Sequence, residues 1–186
     1  MSKPKALLVM LVAVCAVSPA LAGENVNFVL GLRSLDNDFE PVEDQTAIGG
    51  TFDWSVSDWP INLEAGLHYS TEDDEISGTD IDVEVSILEL NFGVNKTWDV
   101  GGGKTIHPFV GGGLTLFMAT VEVEGNDEDD TSIGLYGHGG IFWRLGESFN
   151  IGVEGRIVRG AEVDFGDESS DGEYFQTSLI LGWGWE

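Results

Sequence analysis

His68 and Ser70 stand two residues apart, and on an extended strand that spacing puts both side chains on one face. Histidine beside serine is the pairing in which a general base activates a hydroxyl nucleophile, with a neighbouring acid to orient the ring. Asp127, Glu128, Asp129 and Asp130 suggest a second chemistry, because carboxylates are the hard oxygen donors that Ca2+ and Mg2+ accept. Asp36, Asp38 and Glu40 have alternate ligand spacing, but the glycine that shapes a calcium-binding loop is missing there. No resident cofactor is expected, only calcium or magnesium held loosely where acidic groups crowd and repel. Cys15 is the single cysteine, which excludes an intrachain disulfide and a thiolate zinc cluster. With 8 Lys+Arg against 33 Asp+Glu the chain carries a formal charge of -25, so nucleic acid is not an expected partner.

Strands must position these groups, because no window beyond residue 22 carries an apolar stripe at helical spacing and the chain holds 26 glycines. Period two runs through Val26-Phe28-Leu30-Leu32, Ile48-Phe52-Trp54, Leu63-Ala65-Leu67-Tyr69 and Leu88-Leu90-Phe92-Val94. It returns around 106–120, 132–145, 149–159 and 174–185, which makes eight strands. The fifth has an ambiguous parity, and the fourth slips near Ile87-Leu88 as a bulge would make it do. Odd connections (36–45, 72–82, 122–131, 160–173) read as long and even ones as shorter. In an up-and-down meander that puts long loops at one end, the signature of an outer-membrane barrel. The stretches 36–44, 72–84, 122–130 and 162–173 hold 24 of the 33 acids and no Lys or Arg, so one rim is expected to be a polyanion. Trp54, Trp59, Trp98, Trp143, Trp183 and Trp185 gather at the opposite end, as a membrane-interface belt would.

The alternation turns apolar residues outward and ionisable ones inward. Arg33, Asp53, Glu64, Glu89, Arg144, Glu154 and Arg156 therefore form an expected luminal ion-pair network. Glu64 and Arg144 are expected low in it, near the short turns. Glu154 and Arg156 are expected nearer the middle, with Glu89 as a third partner. His138 joins the network as a structural member. Eight strands leave a lumen that side chains fill, so a plug rather than a pore is expected. A soluble lipocalin-type binding barrel is the alternative, disfavoured because its cavity should be apolar.

Residues 1–22 read as a cleaved signal peptide: Lys3 and Lys5, an apolar run from Ala6 to Val17 too short to span a bilayer, then Ala20-Leu21-Ala22. That leaves 23–186 as the barrel domain and points to a bacterial exporter.

Three motifs carry a resemblance. They are Pro108-Phe109-Val110-Gly111-Gly112-Gly113-Leu114, Gly152-Val153-Glu154-Gly155-Arg156, and the terminal Gly182-Trp183-Gly184-Trp185. In these the chain resembles the small eight-stranded outer-membrane barrel family, of the outer-membrane protein A and X type. The resemblance implies an eight-stranded antiparallel up-and-down transmembrane β-barrel in the bacterial outer membrane, inserted by the barrel-assembly machinery. It implies a non-enzymatic structural or surface-interaction role, with outer-membrane lipid and lipopolysaccharide as partners and a monomeric state. The family usually ends on an aromatic residue, whereas here Glu186 follows Trp185. The His-x-Ser pattern also resembles that of outer-membrane lipid A deacylases, which makes a lipid A acyl hydrolase using His68 and Ser70 the alternative function. Thr71 stands where their asparagine would follow the serine.

Overall fold

The computed structural model describes residues 23–35, 44–56, 59–75, 82–100, 105–123, 126–165 and 168–185. The expected signal peptide, Asp36, Asp38, Glu40 and Glu186 lie outside them. The strands are β1 (Gly23–Leu35), β2 (Asp44–Ser55), β3 (Asn62–Glu75), β4 (Asp82–Thr97), β5 (Ile106–Val123), β6 (Asn126–Leu145), β7 (Phe149–Arg159), β8 (Glu162–Phe165), β9 (Glu168–Asp171) and β10 (Tyr174–Gly184). Each of β1 to β6 pairs antiparallel with the next. β10 pairs with β7 and with β1, so eight strands close into a barrel with no free edge. β8 and β9 form a separate hairpin inside 160–173, a stretch read from sequence as plain loop.

Orientation follows the alternation. On β1 Leu32 is 73% exposed while its neighbour Arg33 is 1% exposed. Leu30, Phe92, Leu114, Leu135 and Leu179 likewise point out, and Asn25, Asp53, Glu64, Asn91 and Glu154 point in. That is the reverse of a water-soluble barrel, and it suits a wall that meets hydrocarbon. The parity of β5 is resolved: Thr115, Phe117 and Ala119 face inward, Val110 and Leu114 outward.

Three sequence expectations need correction, all at the upper end, where β1 runs into 36–43. First, β4 has no bulge at Ile87-Leu88. Its register with β3 runs unbroken from Asn62↔Asn95 to Glu75↔Asp82. Val83, Val85 and Ile87 face inward, because the interior turns apolar at that height, and an inward apolar residue mimics a slip when the lumen is assumed polar throughout. Second, the described residues of 72–82 and 122–131 are strand. Glu72 lies in β3, and Asp127 to Asp130 lie in β6, opposite Glu122, Val121, Thr120 and Ala119 of β5. Water accepts exposed carboxylates on a strand that rises above the lipid, so local acidity did not mark the strand ends. Third, the rim is uneven. β5 and β6 have 18 and 20 residues against 11 in β7, and β6 meets β7 only from Leu135 onward.

An apolar cluster of Leu35, Val83, Val85, Ile87, Phe117, Ala119, Tyr136, Val158, Ala161 and Tyr174 packs inside this end of the barrel. Ala161 belongs to it and Gly172 lies against Phe117, so both ends of the β8–β9 hairpin start from this cluster. The base of the hairpin is tied by Arg159 Nη1 donating to Glu173 Oε2 (2.7 Å) and by Gly172 N donating to Ala161 O (2.7 Å). Gly172 must be glycine there, since a Cβ would come within 2.9 Å of the Phe117 ring.

Candidate functional site

Below the apolar cap most inward positions are polar, with Val29, Ala47, Phe142 and Ile180 interspersed, and the polar side chains assemble in two tiers above a base. In the upper tier β1 delivers Arg33, fully enclosed. Its guanidinium contacts Glu89 Oε1 at 2.6 Å, donates twice to Gln176 Oε1 (3.0 and 3.1 Å) and once to Ser70 Oγ (2.9 Å), and stacks 3.8 Å from the centre of the Tyr174 ring. The Tyr174 hydroxyl donates to Glu89 Oε2 at 2.8 Å, and the Ser70 hydroxyl to Gln45 Oε1 at 2.6 Å. Desolvating a charged pair is costly unless each donor and acceptor finds a partner, which is why amide and hydroxyl side chains ring this one.

The lower tier centres on His138 of β6, which stands between two carboxylates: Nε2 is 3.1 Å from Glu64 Oε2 and Nδ1 is 3.0 Å from Glu154 Oε2. Of these two contacts only that of Nδ1 with Glu154 has hydrogen-bond geometry; Nε2 approaches Glu64 by distance alone. Glu64 also accepts from the Tyr136 hydroxyl (2.9 Å) and from Asn95 Nδ2 (3.2 Å), and the same Asn95 amide donates to Asp53 Oδ1 at 2.6 Å. Arg156 joins the tiers: Nη2 lies 3.2 Å from His68 Nε2, Nε lies 3.8 Å from Glu154, and the guanidinium covers the Tyr136 ring at 4.6 Å. At the base Arg144 donates to Asn150 (3.1 Å) and Asn25 (2.9 Å).

All seven ionisable residues expected in the lumen face it, but they pair otherwise than expected. Glu64 and Arg144 are not partners: Glu64 is held by His138, Tyr136 and Asn95, and Arg144 by two asparagines. Glu89 makes its direct ion pair with Arg33, while its charge also acts on Arg156 beside that of Glu154. The stagger between strands decides this, setting Glu89 opposite His68 and Phe117. Sequence reading missed the neutral half of the network (Gln45, Asn95, Tyr136, Asn150, Tyr174, Gln176) and the inward glycines that make room for it. A Cβ at Gly49 would sit 2.7 Å from His68 Nδ1, and one at Gly93 2.5 Å from the Tyr136 hydroxyl. Inward parity at a glycine beside a long inward side chain was the available signal. Replacing Tyr136 with phenylalanine removes one donor from a buried carboxylate, with an expected loss of about 1–3 kcal/mol in unfolding free energy. Urea titration of the barrel in lipid vesicles measures it.

His68 and Ser70 share the inward face, yet no nucleophile–base pair forms. The Ser70 hydroxyl proton goes to Gln45, His68 Nε2 faces Arg156, and both residues are wholly buried. Glu128, Asp129 and Asp130 are successive strand residues, so their side chains leave on alternate faces and do not converge on one ion as loop ligands would. Asp129 Oδ1 accepts from Thr120 Oγ1 at 2.8 Å. Of Asp127 the structure describes only its place in β6. The six tryptophans all lie at the end where β1 begins, β10 finishes, and β2, β4 and β6 finish. Trp54 is paired to Gly23, Trp143 to Ile106 and Trp183 to Val26, with Trp59, Trp98 and Trp183 exposed.

A family model described as "Outer membrane protein beta-barrel domain" matches residues 6–186. Among solved structures the chain is similar to the Neisserial surface protein A (TM-score 0.61, 13% identity, covering 88% of this chain and 96% of that one). It is similar to Ail, the attachment invasion locus protein of Yersinia pestis, solved with the heparin analogue sucrose octasulfate (0.55, 10%, 88% and 97%). A third is the outer membrane protein OprG of Pseudomonas aeruginosa (0.51, 13%, 88% and 95%). At these identities the likeness is one of fold. No curated protein matches the chain in sequence.

Proposed function

Since the chain belongs to the outer membrane protein β-barrel family and resides in the bacterial outer membrane, we propose that it is a non-enzymatic surface barrel. Its lumen is plugged, and its acidic rim is the working face. The observation that supports this reading is the set of buried luminal pairs. Arg33–Glu89 and Glu64–His138–Glu154 span the lumen, and the apolar cluster stands above them. A diffusion pore needs a continuous aqueous path, and breaking these buried pairs to make one would be costly. The enclosure of Ser70 argues against the hydrolase alternative, and the luminal charges argue against an apolar ligand inside.

The rim's role follows from its charge. Glu122, Glu128 and Asp129 stand on strands that rise above β7. Loosely held calcium or magnesium relieves their repulsion and bridges them to lipopolysaccharide phosphates, with the barrel acting as a monomer. In a planar bilayer the purified protein is expected to give no steady conductance, and unboiled and boiled samples are expected to migrate differently in a detergent gel. Sustained porin-like currents would overturn the plug. Lipid A deacylation on overexpression, lost in Ser70→Ala, would overturn the non-enzymatic reading.

A further inference from the structure

The lower tier surrounds a cavity of about 10 Å3, room for one particle the size of a water molecule. Its lining mixes polar side chains, among them Asn27, Thr51 and Glu154, with apolar ones such as Val29, Phe109 and Ile180. Charge gives the hole no reason to hold an ion. The luminal carboxylates of Asp53, Glu64, Glu89 and Glu154 stand against Arg33, Arg144, Arg156 and His138. Among the described residues no three His, Cys, Asp or Glu side chains converge on a metal position.

Two buried atoms of the lining residues have no hydrogen-bond partner in the protein, Asn27 Oδ1 and Glu154 Oε1. Both are acceptors, and their residues are 9% and 4% exposed. Thr51 Oγ1 accepts from Asn27 Nδ2 at 3.4 Å, which leaves the hydroxyl proton to be donated. These residues therefore offer two lone-pair sites and one proton. A neutral molecule of one heavy atom that donates twice and accepts once matches them, and water is that molecule.

The Glu154 carboxylate stands at a fork. Its Oε2 is on His138 Nδ1 at 3.0 Å, while its Oε1 stops 3.8 Å from Arg156 Nε, a donor without a hydrogen-bond partner. Opposite charges left that far apart in a low-dielectric interior attract, so the oxygen needs another donor to stay where it is. We propose that the lower lumen binds one water molecule, which donates to Asn27 Oδ1 and Glu154 Oε1 and keeps Glu154 from closing on Arg156. The water also links β1 to β7, which flank β10 and share no ladder of their own. An ordered water in such a place costs little and spares two acceptors the full penalty of burial. The inference concerns the interior and does not depend on the surface role.

The test is water–protein nuclear Overhauser spectroscopy on the detergent-folded barrel, with the methyl groups of Val29 and Ile180 as reporters. These side chains are 1% and 2% exposed, so bulk water does not reach them. Each is expected to show a cross-peak at the water frequency, and Asn27→Leu is expected to abolish it. In the same variant the Arg156 Nε–H resonance is expected to shift as Glu154 closes on it. The rim variant Asp129→Asn is expected to leave both signals unchanged. Should Asn27→Leu fail to fold, Val29→Ile adds a methylene to the cavity wall and is expected to remove the Ile180 cross-peak. The Thr51 hydroxyl is present in both variants, so a signal relayed through its exchanging proton would survive them. No cross-peak in the unmutated protein, or one that survives in either variant, would overturn the bound water. Loss of the cross-peak with an unmoved Arg156 signal would overturn its hold on Glu154.

Discussion

Glu89→Ala is expected to cost about 3–5 kcal/mol of unfolding free energy, because it strands a buried guanidinium. Arg33 keeps its bonds to Gln176 and Ser70 but loses the carboxylate 2.6 Å away, and the Tyr174 hydroxyl loses its acceptor in the same step. Both partners of the pair are fully enclosed, so water cannot replace the lost oxygen at low cost. The double variant Arg33→Met/Glu89→Leu tests whether the loss comes from an unpaired charge. It is expected to recover the part due to the unpaired charge but not all of it, since the Tyr174 hydroxyl and Gln176 Oε1 still lack their partners. Urea unfolding in lipid vesicles, followed by tryptophan fluorescence, reads both. Near-neutral behaviour of the single variant would mean that solvent reaches the upper tier, which would also undermine the plugged lumen.

Leu179→Arg is expected to cost about 2–4 kcal/mol, and Leu145→Arg only about 0–1 kcal/mol. Leu179 stands midway along β10 between Leu30 and Val153, 60% exposed. In the bilayer its surroundings are hydrocarbon, where a guanidinium cannot be hydrated without distorting the membrane. Leu145 closes β6 two residues beyond Trp143 and is 50% exposed, so an arginine there reaches the headgroups. In water two such exposed positions would tolerate the change equally. A depth-dependent cost measured from vesicles therefore reports lipid contact, and equal small costs would remove the outer wall from the membrane.

Period-two alternation made the strands and their orientation readable. Leu32 beside Arg33 and Leu63 beside Glu64 each declare an inside and an outside within two residues, because side-chain direction in a strand is a local property. For the same reason the barrel count, the inward charges and the one-ended tryptophans were legible. The pairing inside was not. Whether Glu64 meets Arg144 or His138, and whether Glu89 meets Arg156 or Arg33, depends on the stagger of strands far apart in the chain. Nothing within one strand encodes that stagger.

The upper end misled for a related reason. Val83, Val85 and Ile87 obey the alternation perfectly, but a uniformly polar lumen was the wrong reference for their sign. Likewise Asp127 to Asp130 looked like a loop because acidity was taken for a turn, when β5 supplies a register partner for each of them. The amino-acid sequence by itself determined that this chain makes a membrane barrel with its greasy side out. Only closure of the barrel decided which charges meet, where the lumen turns apolar and how far one wall rises, because those are relations between strands rather than properties of any one.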